Sequence, residues 1–193
     1  MVLKAKLTPD YAALHPGSEP TGRPMDPVFA FIEHTDLSEW IRGSESVFAF
    51  PAIITLHAIG MAFLAGGSAA IDLRILGFAP SLSVGAMGRF LPVLWLGFAI
   101  NAVSGTLLLI AYPTKALTNP VFYVKLGLIA LGVGLVYRIG TTVLRGPNVE
   151  QKLDKHARTL ALASLVVWVA LITAGRLLGY THKWLLVGVK VNF

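Results

Sequence analysis

Four stretches of this chain are apolar for long enough to cross a bilayer, and that property limits its fold more than any motif does. They run from about Val47 to Ile71, Phe90 to Tyr112, Pro120 to Tyr137 and Thr159 to Tyr180. A hydrocarbon layer about 30 Å thick needs roughly 20 apolar residues. The third stretch is the shortest, and Thr141 to Leu144 offers an extension. Within lipid every backbone N–H and C=O must be satisfied by the protein, so only helices and closed barrels cross. Continuous apolar runs, as opposed to alternating ones, mean helices. The expected fold is all-α: a polytopic membrane protein built as a four-transmembrane-helix bundle in contact with the lipid bilayer. Composition agrees. Only 13% of the residues are charged and 55% are hydrophobic, whereas an ordinary soluble domain is about 25% charged.

We call the side on which the first span begins face A and the opposite side face B; four crossings return the chain to A. Around B lie Arg74, Arg89, Arg138, Arg145, Lys152, Lys155 and Arg158, and close to A only Arg42, Lys115, Lys183 and Lys190, with Lys4, Lys6 and Arg23 farther out. The positive-inside rule then makes B cytoplasmic and puts both termini outside a bacterial inner membrane. Residues 1–25 are rich in Pro, Gly and charge, lack the apolar core of a signal peptide, and read as an extended arm. Residues 26–46, "DPVFAFIEHTDLSEWIRGSES", offer Phe29, Ile32, Leu37, Trp40 and Ile41 as the apolar side of short interfacial helices, with Asp36 as N-cap. A loop packed on the bundle is the other reading of that segment. Residues 47–180 make the bundle and 181–193 a C-terminal tail.

Several functions are excluded. The chain has no cysteine, so disulfides, thiolate catalysis, iron–sulfur ligation and c-type haem attachment are ruled out. The net charge of +6 comes from residues that flank the spans, which argues for membrane topology and against nucleic acid. The spans hold no carboxylate pair, nucleophile–base set or HExxH, so a stand-alone enzyme is not expected.

The informative residues are the polar ones at depth, because ionisable groups in a bilayer are costly. His57 lies near the middle of the first span, Asn101 near the middle of the second. Lys125 and Arg176 lie about a turn and a half in from face A on the third and fourth, with Tyr180 one turn nearer the surface. Depth counting puts these residues in the A-side half of one bundle. Two cations then stand above a histidine with no carboxylate to pair them, a surplus that calls for an anion.

Each residue also has a plain packing role open to it. Lys125 and Arg176 are near enough to the surface to snorkel. His57 and Asn101 are suited to interhelical hydrogen bonds, and the small-residue stripes Ala58, Ala62, Gly66, Ala70 and Gly97, Asn101, Gly105 to close helix approach. Asp72 and Arg74 read as an interfacial pair that ends the first span. His156 falls in a charged loop and His182 in an interfacial aromatic belt.

The stretches "LSEWIRGSESVFAFPAIITLHAIGMAFLAGGSAAIDLRILGF", "NPVFYVKL" and "AGRLLGY" resemble a group of small uncharacterised bacterial four-helix membrane proteins. The similarity runs from about Leu37 to Tyr180. It implies the four-span architecture and marks His57, Gly60, Asp72, Leu73, Arg74, Asn119, Pro120, Lys125, Gly175, Arg176 and Tyr180 without implying a chemistry.

The function expected from the residues is that of a b-type haem subunit for electron transfer within a larger complex of membrane or periplasmic proteins. His57 would ligate the iron, Gly60 would leave room for the porphyrin, and Lys125 and Arg176 would hold the propionates. Copper is a rival, because His57 and Met61 lie at i, i+4 and imidazole with thioether suits Cu(I). A quinone sharing the site would take a hydrogen bond from Lys125 or Tyr180. A cofactor-free structural subunit is the remaining alternative.

Overall fold

Prolines and small polar caps set where the helices begin. The computed structural model describes residues 27–145 and 153–189, with side chains up to Thr181. The arm at 1–25, Lys152, Lys190 and the side chains of His182 and Lys183 fall outside that set. Two short helices, α1 (Pro27–Glu33) and α2 (Asp36–Gly43), precede the long ones. The long helices are α3 (Phe50–Leu76), α4 (Val84–Ala111), α6 (Pro120–Val143) and α7 (Lys155–Val189), and a single turn α5 (Pro113–Leu117) links α4 to α6. All four long helices are long and apolar enough to cross a membrane, and no strand occurs among the described residues. The chain is therefore an all-α, multi-pass bundle, as expected.

Pro51 and Pro120 occupy first-turn positions, where a missing N–H costs nothing. Asn119 Oδ1 caps α6 by accepting from Val121 N at 3.0 Å. The helices outrun the expected spans. α3 continues from Ile71 to Leu76 and stops only at Gly77, whose φ of 108° suits glycine, with Phe78 N returning to Leu73 O at 3.0 Å. Asp72 and Arg74 are thus inside the helix. α6 reaches Val143 through a π-helical stretch at Ile139–Val143, taking up the Thr141 extension. α7 does not end at Tyr180 but runs to Val189, so most of the expected 181–193 tail is helical. The expected boundaries followed charge, whereas backbone hydrogen bonding carries a helix past charged residues until a cap or a glycine stops it.

The outer surface is as apolar as the interior. Val103, Leu131, Val166 and Val169 are all more than half exposed, which suits side chains facing lipid. α3 packs on α4, and α6 on α7, while the face-B half of α3 joins α7. The main buried cluster (Leu64, Ile71, Ile75, Leu94, Val136, Ile139, Trp168, Leu171) runs from mid-bundle toward face B. Near face A a smaller cluster of Ile41, Ile53 and Ala111 fixes α2 to the ends of α3 and α4.

The segment before the bundle is helical, as the first reading had it, and docked on the bundle, as the second had it. Ser38 Oγ donates to Ala111 O at 3.5 Å, Thr114 N donates to Glu33 Oε1 at 3.3 Å, and Arg42 bonds to Glu33 O. The N-cap of α2 is Thr35, whose Oγ1 accepts from Ser38 N, and Asp36 is the first helical residue. Phe31, Trp40, Val47 and Phe48 stay exposed beside it.

Candidate functional site

The site is set by the crossing of α3 and α4. A Cβ on Gly60 would stand 2.9 Å from both Gly97 O and Asn101 N, and one on Gly97 would stand 2.9 Å from Gly60 O. The two backbones touch there, and only glycine allows it. That contact brings His57, three residues earlier on α3, against Asn101, Ser104 and Gly105 on α4. Asn101 Nδ2 donates to His57 O at 2.8 Å. The imidazole ring lies over Gly105, where a Cβ would come within 3.2 Å of its Cε1.

The proton on the ring can be placed by counting hydrogens. Ser104 Oγ lies 2.7 Å from Ile100 O and 3.3 Å from Asn101 O, both of which only accept. The single hydroxyl hydrogen therefore goes to the helix backbone. His57 Nδ1 is 3.0 Å from the same oxygen; with the hydroxyl hydrogen on the backbone, Nδ1–H is assigned as the donor of that bond. The lone pair is left on Nε2, which has no hydrogen-bond partner among the described residues. A histidine held through one nitrogen with the other nitrogen bare is the arrangement used for metal ligation.

Of the residues expected at the site, Lys125 is half-buried on α6 and is the charged side chain whose field reaches the imidazole. Arg176 and Tyr180 are exposed on α7, and among the described residues no hydrogen bond or ion pair joins either to His57 or Lys125. Gly60 does not leave room for a flat cofactor, because the α4 backbone fills that side. Asn101 acts as interhelical glue and fixes the backbone at His57. Met61 packs against the main apolar cluster. No group of three or more His, Asp or Glu that could hold a metal ion occurs among the described residues. His156 is exposed, in line with its expected solvation.

Sequence reasoning missed Ser104. Its signal was present: it lies three residues after Asn101, on the same helical face as Gly97 and Asn101. The expected Asp72–Arg74 pair does not form. Arg74 bonds instead to Leu82 O and Pro80 O, and both Asp72 oxygens lack a hydrogen-bond partner. No family model, curated protein or solved structure matches the chain.

Proposed function

We propose that this chain is an integral membrane subunit that holds a one-electron redox group at His57, haem b being the group its residues suit best. The observation that carries the reading is the His57–Ser104–Ile100 chain of hydrogen bonds, which engages Nδ1 and leaves Nε2 without a hydrogen-bond partner among the described residues. The residues fit haem b at two points: His57 supplies one axial ligand with its supporting hydrogen bond, and Lys125 supplies a cation for a propionate. They do not fit at Gly60 or Arg176, for the reasons given above, so those two residues are left out of the proposed site. A bound haem would supply one-electron transfer. The chain's own part is to orient the imidazole through Ser104, to neutralise charge through Lys125, and to keep the site within apolar helices.

The reading takes face B as cytoplasmic, on the asymmetry of Lys and Arg between the two faces. It also takes the exposed Phe31, Trp40, Val47 and Phe48 beside α2 as apolar area for the membrane surface or a partner subunit. The copper alternative is weaker, because Met61 packs against the main apolar cluster and the chain has only four Met. The test is the absorption spectrum and metal content of the protein purified in detergent from haem-supplied cells. A Soret band with about one iron per chain supports the reading. Copper without haem, or a colourless metal-free protein, overturns it.

A further inference from the structure

Ser68 and Asp72 lie one turn apart on α3, and Ser164 and Trp168 one turn apart on α7, so the crossing of these helices gathers four polar side chains. Trp168 Nε1–H donates to Ser68 Oγ at 2.9 Å, and the two serine hydroxyls are 3.4 Å apart. Asp72 is 0% exposed. Ser164 and Ser68 stand beside its carboxyl, yet neither oxygen has a hydrogen-bond partner. The remaining walls are Ile71, Leu91, Leu94, Val136 and Ile139. Among the described residues no charged group of α4, α6 or α7 lines the cavity with the carboxyl, and Arg74 bonds to carbonyls of the α3–α4 loop.

An ionised carboxylate in such a place costs several kcal/mol, and none of the described residues that line the cavity is a cation to offset it. Size and ligand number select what can. The cavity beside Asp72 and Ser68 measures about 10 Å³, at the threshold for a single water. One carboxylate and two hydroxyls are too few for Ca²⁺ or Mg²⁺, which want six or more oxygens. A proton needs no space, and the neutral carboxyl it creates both donates and accepts, matching the two hydroxyls and one water. Access is also built in. A larger cavity of about 210 Å³, lined by Trp95, Tyr137, Gly140, Thr141 and Arg145, lies toward face B and shares Leu91 and Val136 with the small one.

We propose that Asp72 is a proton-binding site within the bundle, loaded from face B through the larger cavity, with Leu91 and Val136 as the partition between them. In the loading step an O–H bond of hydronium breaks and an O–H bond to a carboxylate oxygen of Asp72 forms, releasing water. Nothing in this inference depends on what binds at His57.

Infrared difference spectroscopy in H₂O and D₂O, on the protein in lipid nanodiscs at neutral pH, tests it. The parent protein is expected to show a protonated-carboxyl C=O band that shifts in D₂O and is absent from Asp72→Asn. Asp72→Glu gives a second assignment by moving the band in frequency. Thr141→Phe, which fills the larger cavity, is expected to keep the band and slow its D₂O shift several-fold. No such band in the parent, or a band unaltered in both Asp72 variants, overturns the proposal. A band lost when sodium replaces choline in the buffer would instead mark a sodium site and overturn it equally. Unchanged exchange in Thr141→Phe overturns the loading route.

Discussion

Ser104 shows how one hydroxyl fixes the chemistry of a ring that it only supports. It accepts from His57 Nδ1 and donates to its own helix, and this holds the imidazole in a single tautomer with Nε2 free. Removing such a supporting partner typically costs 10–100-fold in metal affinity. Ser104→Ala is therefore expected to lower haem retention by about that factor while the helices stay assembled, measured by haem transfer to a competing apoprotein. Ser104→Thr, which keeps a hydroxyl, is expected to retain most of the affinity. Equal retention in the parent and Ser104→Ala would show that the hydrogen bond does not support a ligand. At this scale the sequence was partly legible. His57 and Lys125 stood out because charge at depth is rare, whereas Ser104 did not, because serine is ordinary in a span and its role appears only once α4 is placed against α3. Arg176 stood out for the same reason as Lys125, but depth alone does not say which way a helix face turns.

Among the elements, the crossing of α3 and α4 is the most tightly specified. Gly60 and Gly97 meet backbone to backbone, so a methyl at either position must push the helices apart. Gly60→Ala is expected to destabilise the protein by about 1–3 kcal/mol, the usual cost of overpacking. Gly134→Ala, on α6 with nothing within 4 Å of the added Cβ, serves as the matched control and is expected to be neutral or slightly stabilising. Equal thermal unfolding of the two variants in detergent would contradict this packing. Of the small-residue stripes in the sequence, the one on α4 makes the close approach through Gly97, whereas on α3 the contact falls on Gly60, outside the stripe, and a Cβ on Gly66 would meet nothing within 4 Å. The ends of the helices were less legible. Asp72 and the tail after Tyr180 were read as boundaries because charge and aromatic belts mark membrane surfaces, yet α3 and α7 continue through both. Drawing the first span to stop at Ile71 also hid the Ser68–Asp72 pair, whose meeting with Ser164 and Trp168 of the fourth span becomes visible only when Asp72 is helical.

For the whole molecule, composition and periodicity were sufficient. Four long apolar runs became four long apolar helices, because lipid leaves the backbone no other way to satisfy itself. What the sequence could not show is how the helices pair, since the lipid-facing and core-facing residues are equally apolar. The main core lies toward face B, and the His57 site lies outside it. Orientation is tested by single cysteines in this cysteine-free chain. Thr118→Cys at face A is expected to react with an impermeant thiol reagent on spheroplasts, and Asn148→Cys, which lies in sequence between α6 and α7, only after lysis. The reverse pattern would turn the topology over. The central claim, that His57 Nε2 is a ligand, is tested most directly by removing the ring and returning it. His57→Gly, purified with haem supplied, is expected to lose the parent's Soret band or show it altered, and added imidazole is expected to restore it. A variant whose spectrum matches the parent's before any imidazole is added would contradict the claim.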